Sequence, residues 1–133
     1  MGTPINVERI EELIKVEEEK LNAATQKSKE FYEAAQKHLS GGVASSYQLH
    51  EPWPIYVEKG EGPRIWDVDG NEYYDFHNGF GSMVQGHAHP AIGKAVSDRY
   101  PMGTHFAAPT EDAIVVGDEL ARRWGLPKWR YTN

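Results

Sequence analysis

The sequence predicts an α/β chain: an N-terminal helix, a short antiparallel β-meander, then the first helix and strand of a larger domain left incomplete. Three observations carry that reading. Apolar residues recur at helical spacing from Ile10 to Leu39. An Asp69-Gly70 pair, a hairpin signal, stands between two strand-like runs. A capped amphipathic pattern from Thr110 leads directly into Trp129–Thr132, which reads as a strand opening a βα unit.

The helical lead-in begins at Asn6, which can cap a helix, with Glu8 adding an acid to its first turn. Ile10, Leu13, Ile14, Leu21, Ala24, Phe31, Ala35 and Leu39 form a narrow apolar stripe on one long helix, or on two broken near Thr25. Ser40-Gly41-Gly42 ends it. Ile55–Val57, Arg64–Val68 and Tyr73–Phe76 read as strands, with Gly60–Pro63 and Asp69-Gly70 as the turns. Asn78–Gly81 and Gly86–Pro90 form glycine-rich loops. Pro90 starts a helix over Ala91–Tyr100. Thr110 caps a second helix, Arg122 and Arg123 occupy its last turn, and Gly125 and Pro127 stop it. A strand at Trp129–Thr132 requires pairing partners, so the domain that it opens is truncated at this point.

Composition narrows the function. With 14 Lys+Arg against 20 Asp+Glu the formal net charge is -6, which argues against a nucleic-acid binder. Cysteine is absent, so disulfides and thiolate metal sites are excluded. No apolar run reaches membrane-span length. Met1-Gly2-Thr3-Pro4 leads into a charged stretch and not a signal core, and Asn6 spoils a myristoylation match. A cytoplasmic protein without membrane partners is expected.

Several motif-like stretches fail on their own chemistry. Gly93-Lys94 is followed by Ala95, so it is no phosphate loop, and Gly79-Phe80-Gly81 lacks the third glycine of a dinucleotide fingerprint. Asp67–Asn71 begins like a calcium loop, but Glu72 stands where glycine is required. His77, His87, His89 and His105 cluster in sequence, and a metal site with Asp75 is conceivable. Gly86 and Pro90 flank the central pair, however, and favour histidines that bond loop backbone. No metal is expected.

Three segments carry a resemblance when taken together and in order. They are Tyr56–Gly62 running into Ile65–Phe76, then Gly86-His87-Ala88-His89-Pro90, then Gly103–Glu111. At these separations the chain resembles the N-terminal region of the class III aminotransferases, in the branch similar to glutamate-1-semialdehyde aminomutases. The resemblance implies the fold type I of pyridoxal-phosphate-dependent transferases, and a homodimer in the complete enzyme. It divides the chain into a helical segment at 1–40, the N-terminal part of a small domain at 41–100, and the start of a large cofactor-binding domain at 101–133.

It also implies a reaction: transfer of an amino group between an amine or amino acid and a keto acid, with pyridoxal phosphate as cofactor. The family's phosphate-gripping turn is expected just after Asn133, and its Schiff-base lysine and pyridine-nitrogen acid lie far downstream. None of Lys15, Lys20, Lys27, Lys29, Lys37, Lys59, Lys94 and Lys128 stands in the context of that lysine. No catalytic residue is therefore expected in this chain, and alone it is expected to be inactive.

What remains is pocket wall. In the aminomutases a Gly-Gly-Val segment is followed by an arginine that clamps the substrate carboxylate. Here Gly41-Gly42-Val43 is followed by Ala44, Ser45, Ser46 and Tyr47, and Gln48 takes the arginine's place. A neutral amide cannot form the bidentate, charge-assisted pair. A related branch acting on β-amino acids places its arginine nearer Ser45, and that too is missing. Phe80 falls where the aminomutases carry a tryptophan. Ser45, Tyr47, Gln48 and Phe80 are the candidate substrate-binding residues, with ordinary loop packing as the alternative, and His77 lies nearby with no assigned role. The departure at Gln48 favours a transaminase over an aminomutase, and a non-catalytic interaction fragment is the reading from a different class.

Overall fold

Asn6 Oδ1 accepts the Arg9 N–H at 2.9 Å and starts α1 (Val7–Ala24). The computed structural model describes residues 6–132, so the Met1-Gly2 start and Asn133 lie outside the described residues. Helix α2 (Gln26–Ala35) follows after a break at Thr25, whose φ of -129° and ψ of 40° are not helical. Thr25 is fully buried. Its hydroxyl donates to the Leu21 carbonyl at 2.7 Å and accepts the Trp53 indole N–H at 3.0 Å.

The end of α2 corrects the sequence reading, because the helix stops at Ala35, short of Ser40. Gln36, Lys37, His38 and Leu39 close the last turn onto Tyr32, Ala34 and Ala35. Ser40–Gly42 then forms a separate 3-10 turn. At Gly42, with φ of 69°, a Cβ would lie 2.5 Å from the Tyr32 ring, so glycine is required there.

Strands β1 (Val57–Glu61), β2 (Arg64–Asp67) and β3 (Glu72–Tyr74) make an antiparallel sheet in the order β1-β2-β3. Gly60 pairs with Ile65, which in turn pairs with Tyr73. The meander is as expected, but β1 lies later than the Ile55–Val57 reading and absorbs Gly60 and Glu61, two residues assigned to the turn. Glycine at 60 disfavours a strand in isolation. Here it makes room for a ring, since a Cβ would meet His87 at 2.5 Å. Gly62, outside the strands, makes an isolated antiparallel bridge with His87.

Asp69 ties the sheet to α2. Its carboxylate accepts from the Lys27 N–H at 2.6 Å, the Ser28 N–H at 3.0 Å and the Ser28 hydroxyl at 2.7 Å. These are the free N–H groups of a helix start, capped by a residue 41 positions away.

Two compact units divide the chain, one through Ile92 and one from Gly93. The boundary falls inside α4 (Pro90–Arg99); α3 (Asn78–Gly81) is a single turn in the first unit. In the second unit α5 (Glu111–Trp124) follows Thr110, which sits at the cap position but makes no side-chain cap bond. Gly125 ends α5 with φ of 69° and an N–H bond to the Ala121 carbonyl at 2.8 Å.

Trp129–Thr132 is not a strand, which corrects that expectation. A strand exists only with a ladder partner, and no extended segment pairs with it among the described residues. It is held against α5 instead. The Tyr131 hydroxyl donates to the Ala113 carbonyl at 2.9 Å, and the Trp124 and Trp129 rings meet edge to face at 6.1 Å.

No helix of the described residues is long and apolar enough to cross a membrane. No hydrophobic side chain among them is buried, and the buried polar ones are Thr25, Ser28 and Asp67.

Candidate functional site

The 3-10 turn Ser46–Gln48 holds three of the four candidate residues on or beside it. Gln48 folds back on the turn, its side-chain oxygen accepting the Ser45 N–H at 3.2 Å, while its own N–H donates to the Ser45 carbonyl at 2.9 Å. That leaves the Gln48 amide facing backbone on its oxygen side. Tyr47 projects from the turn and is 77% exposed.

The fourth candidate arrives from α3. Asn78, Gly79, Phe80 and Gly81 all have positive φ, at 54°, 55°, 58° and 82°. This is one turn of left-handed backbone, which costs a non-glycine residue roughly 1–2 kcal/mol. Phe80 bears that cost with its ring 72% exposed, so burial of the side chain does not repay it. The ring meets Tyr47 edge to face at 5.4 Å and His77 at 4.2 Å. The structure therefore joins Tyr47 with Phe80, places Ser45 and Gln48 at the root of Tyr47, and adds His77. Its Nδ1 accepts the Phe80 N–H at 3.3 Å.

Asp75 holds this turn from below. Oδ1 accepts the His77 N–H at 2.9 Å and the Asn78 N–H at 2.8 Å. Oδ2 lies 2.7 Å from His87 Nε2. A carboxylate can only accept, so that ring nitrogen carries the proton and donates. The Asn78 N–H and the His87 ring, with a lesser share from the His77 N–H, hold the Asp75 carboxyl below its ordinary value although burial acts the other way. His87 is fixed in turn by paired backbone bonds with Gly62, at 2.9 and 2.8 Å. The Asp75 N–H donates to the Pro63 carbonyl at 2.9 Å.

In the sequence Asp75 was weighed only as a metal ligand and His87 as a metal ligand or, preferably, a histidine bonding loop backbone; their pairing with each other was not foreseen. Among the described residues no three metal-ligating side chains converge, and the two side chains pair with each other. The signal available beforehand was Gly60 and Gly62, spaced to admit a ring and a backbone bridge, but the partner was not legible without the fold.

Lys20, Lys29 and Lys94 face Glu17, Glu33 and Asp98, Lys59 lies over the Trp66 ring, and Lys15, Lys27, Lys37 and Lys128 are exposed. The first unit's arginines are also engaged, Arg9 with Glu12 and Arg64 with Glu72. The arrangement offers an aromatic wall with a neutral amide at its root and the His77 imidazole against the Phe80 ring, and both arginines of the first unit are paired elsewhere.

Residues 45–126 match the family described as Aminotransferase class-III. The glutamate-1-semialdehyde 2,1-aminomutase of Methanocaldococcus jannaschii is 42% identical over 97 residues, 73% of this chain and 23% of that protein. A crystal structure of a glutamate-1-semialdehyde aminomutase from Pseudomonas aeruginosa PAO1 superposes with TM-score 0.85 at 33% identity, covering 96% of this chain and 28% of the other. A variant of that enzyme, in complex with PMP, superposes equally well. An omega-transaminase from Sphaerobacter thermophilus superposes with TM-score 0.67 at 35% identity over 72% of this chain and 22% of the other. The chain thus spans about a quarter of the length of the proteins that it matches.

Proposed function

Because the chain belongs to the class-III aminotransferase family, we propose that it forms the N-terminal region of a pyridoxal-phosphate-dependent transaminase moving an amino group between an amine or amino acid and a keto acid. The cofactor supplies an electron sink for the amine carbon. None of the chain's eight lysines stands in the sequence context of the family's Schiff-base lysine. The cofactor's covalent anchor and phosphate cradle are assigned to residues beyond Asn133. The complete enzyme is proposed to be a cytoplasmic homodimer, with 1–40 and 41–100 contributing helix and small domain and 101–133 opening the large one.

In this reading Tyr47 and Phe80 bound the substrate side of the pocket and present aromatic surface to an apolar substituent of the amine. Ser45 and Gln48 shape the floor beneath Tyr47. The observation that carries the transaminase reading is Gln48, a neutral amide bonded to the Ser45 N–H where the resembling aminomutases place an arginine. An α-carboxylate there has no bidentate partner.

The identities to aminomutases favour a second reading, intramolecular amino transfer on glutamate-1-semialdehyde. The two differ in stoichiometry, because a transaminase needs a second substrate. The full-length protein is expected to convert amine only when a keto acid is present, and to leave glutamate-1-semialdehyde unchanged until Gln48→Arg is introduced. Conversion of glutamate-1-semialdehyde to 5-aminolevulinate by the unmodified protein, without acceptor, would establish the aminomutase instead.

A further inference from the structure

The left-handed turn at Asn78–Gly81 places Phe80 in a strained, exposed conformation, and something must hold it there. Strain of this kind persists only where neighbouring groups over-determine the backbone. Within the turn the Phe80 N–H donates to His77 Nδ1, and Met83 and Ser82 donate to the Asn78 and Gly79 carbonyls. The groups that tie it to the rest of the unit converge on one carboxylate. Asp75 Oδ1 takes both N–H groups that lead into the turn, those of His77 and Asn78. Asp75 Oδ2 takes the His87 ring, and His87 is bolted to Gly62 by two backbone bonds and seated over Gly60. The path runs unbroken from the β1–β2 turn through His87 and Asp75 to Phe80. Both members are largely enclosed, with side chains 10% exposed for Asp75 and 24% for His87.

We propose that Asp75 and His87 are a positioning pair that fixes the gap between Phe80 and Tyr47, and thereby sets which amine substituents the pocket accepts. This rests on the reading of Tyr47 and Phe80 as pocket wall. Neither Asp75 nor His87 needs to touch the substrate. Without the carboxylate, the His77 and Asn78 N–H groups lose their acceptor. The turn is then free to relax toward right-handed backbone, which carries the Phe80 ring away from Tyr47. Small displacements of a positioning group are enough to change turnover by large factors.

The test uses the full-length, cofactor-loaded protein and two probe amines of different width, 1-phenylethylamine and isopropylamine, with pyruvate as acceptor. The readout is the ratio of their kcat/KM values, which a general loss of folded holoenzyme lowers for both amines and leaves unmoved. Asp75→Ala is expected to shift the ratio on the order of tenfold, and to shift it no further in a Phe80→Ala background. His87→Phe is expected to reproduce the shift. His87→Gln, which keeps an N–H for Asp75, is expected to restore most of the ratio and covers the case in which Asp75→Ala does not fold. If Phe80→Ala moves the ratio but Asp75→Ala and His87→Phe act equally with or without Phe80, the positioning role is wrong and the pocket stands. If Phe80→Ala leaves the ratio unchanged, the pocket assignment fails and takes this inference with it.

Discussion

Asp67 is fully buried and is satisfied by four donors. Its Oδ1 accepts the N–H groups of Asp69 and Asn71, and Oδ2 accepts the Asn71 side-chain amide and, at 2.8 Å, the Tyr73 hydroxyl. A buried charge left unpaired is costly, so each donor matters. Burial first, and then the Asp67 carboxylate, push the Tyr73 hydroxyl up to about 12 from 10.0. The folded chain therefore holds the Tyr73 proton more tightly than the unfolded chain. Its contribution to stability is complete below pH 10 and is lost as pH rises from there through about 12. An absorbance titration of the seven tyrosines is expected to show a late phase near 12, and Tyr73→Phe is expected to remove it. The same substitution takes one donor from Asp67 and is expected to cost about 1 kcal/mol in a denaturant melt. A phenolic titration unchanged by Tyr73→Phe would contradict the bond to Asp67.

Helix α2 draws its N-terminal cap from the turn between β2 and β3, not from Thr25, which makes no side-chain cap bond of its own. Asp69 supplies the acceptors, and Ser28 and Lys27 hold its carboxyl below its ordinary value although burial acts the other way. Asp69→Ala is expected to cost about 1–2 kcal/mol, as other lost caps do. Hydrogen exchange is expected to quicken at Lys27 and Ser28 while α1 is unaffected. Uniform quickening across both helices would mean that Asp69 supports the whole unit, not one helix end. Local chemistry of this kind marks what could be read in advance. The meander order, the Pro90 start and the Gly125 stop follow from spacing and from residues with restricted backbones, whereas the Thr25 break was one of two alternatives that the spacing left open. Asp69 was legible only as a hairpin residue, because its second task depends on a contact 41 positions away. β1 was misplaced because Gly60 reads as turn until His87 is seen above it. Trp129–Thr132 has strand composition without a strand's partner. At the site, the nearness of Tyr47 and Phe80 followed from resemblance, while the Asp75–His87 pair that supports them joins residues 12 apart and left no periodic signal.

At the scale of the whole molecule, the described residues carry apolar faces without apolar burial. Ile10, Leu13, Ile14 and Leu21 of α1 share an open apolar surface, and each is at least 39% exposed. On α5, Ile114 and Val115 are 66% and 60% exposed. A fold dominated by the hydrophobic effect needs such faces covered, and patches of this kind are where further protein packs. The polar latches at Asp67, Asp69 and Asp75 define local geometry, but net hydrogen-bond contributions of about 1 kcal/mol each cannot replace a core. Catalysis by positioning asks for more than local geometry, since a loosely held wall loses its orientation. The 133-residue chain produced alone is therefore expected to bind a hydrophobic dye strongly and to show no aldimine absorbance with added pyridoxal phosphate. It is also expected to give no transamination, while the full-length protein does all three in the opposite sense. A visible aldimine band with turnover from the 15.0 kDa chain would mean that one of its own lysines anchors the cofactor, and the assignment of that anchor beyond Asn133 would fall.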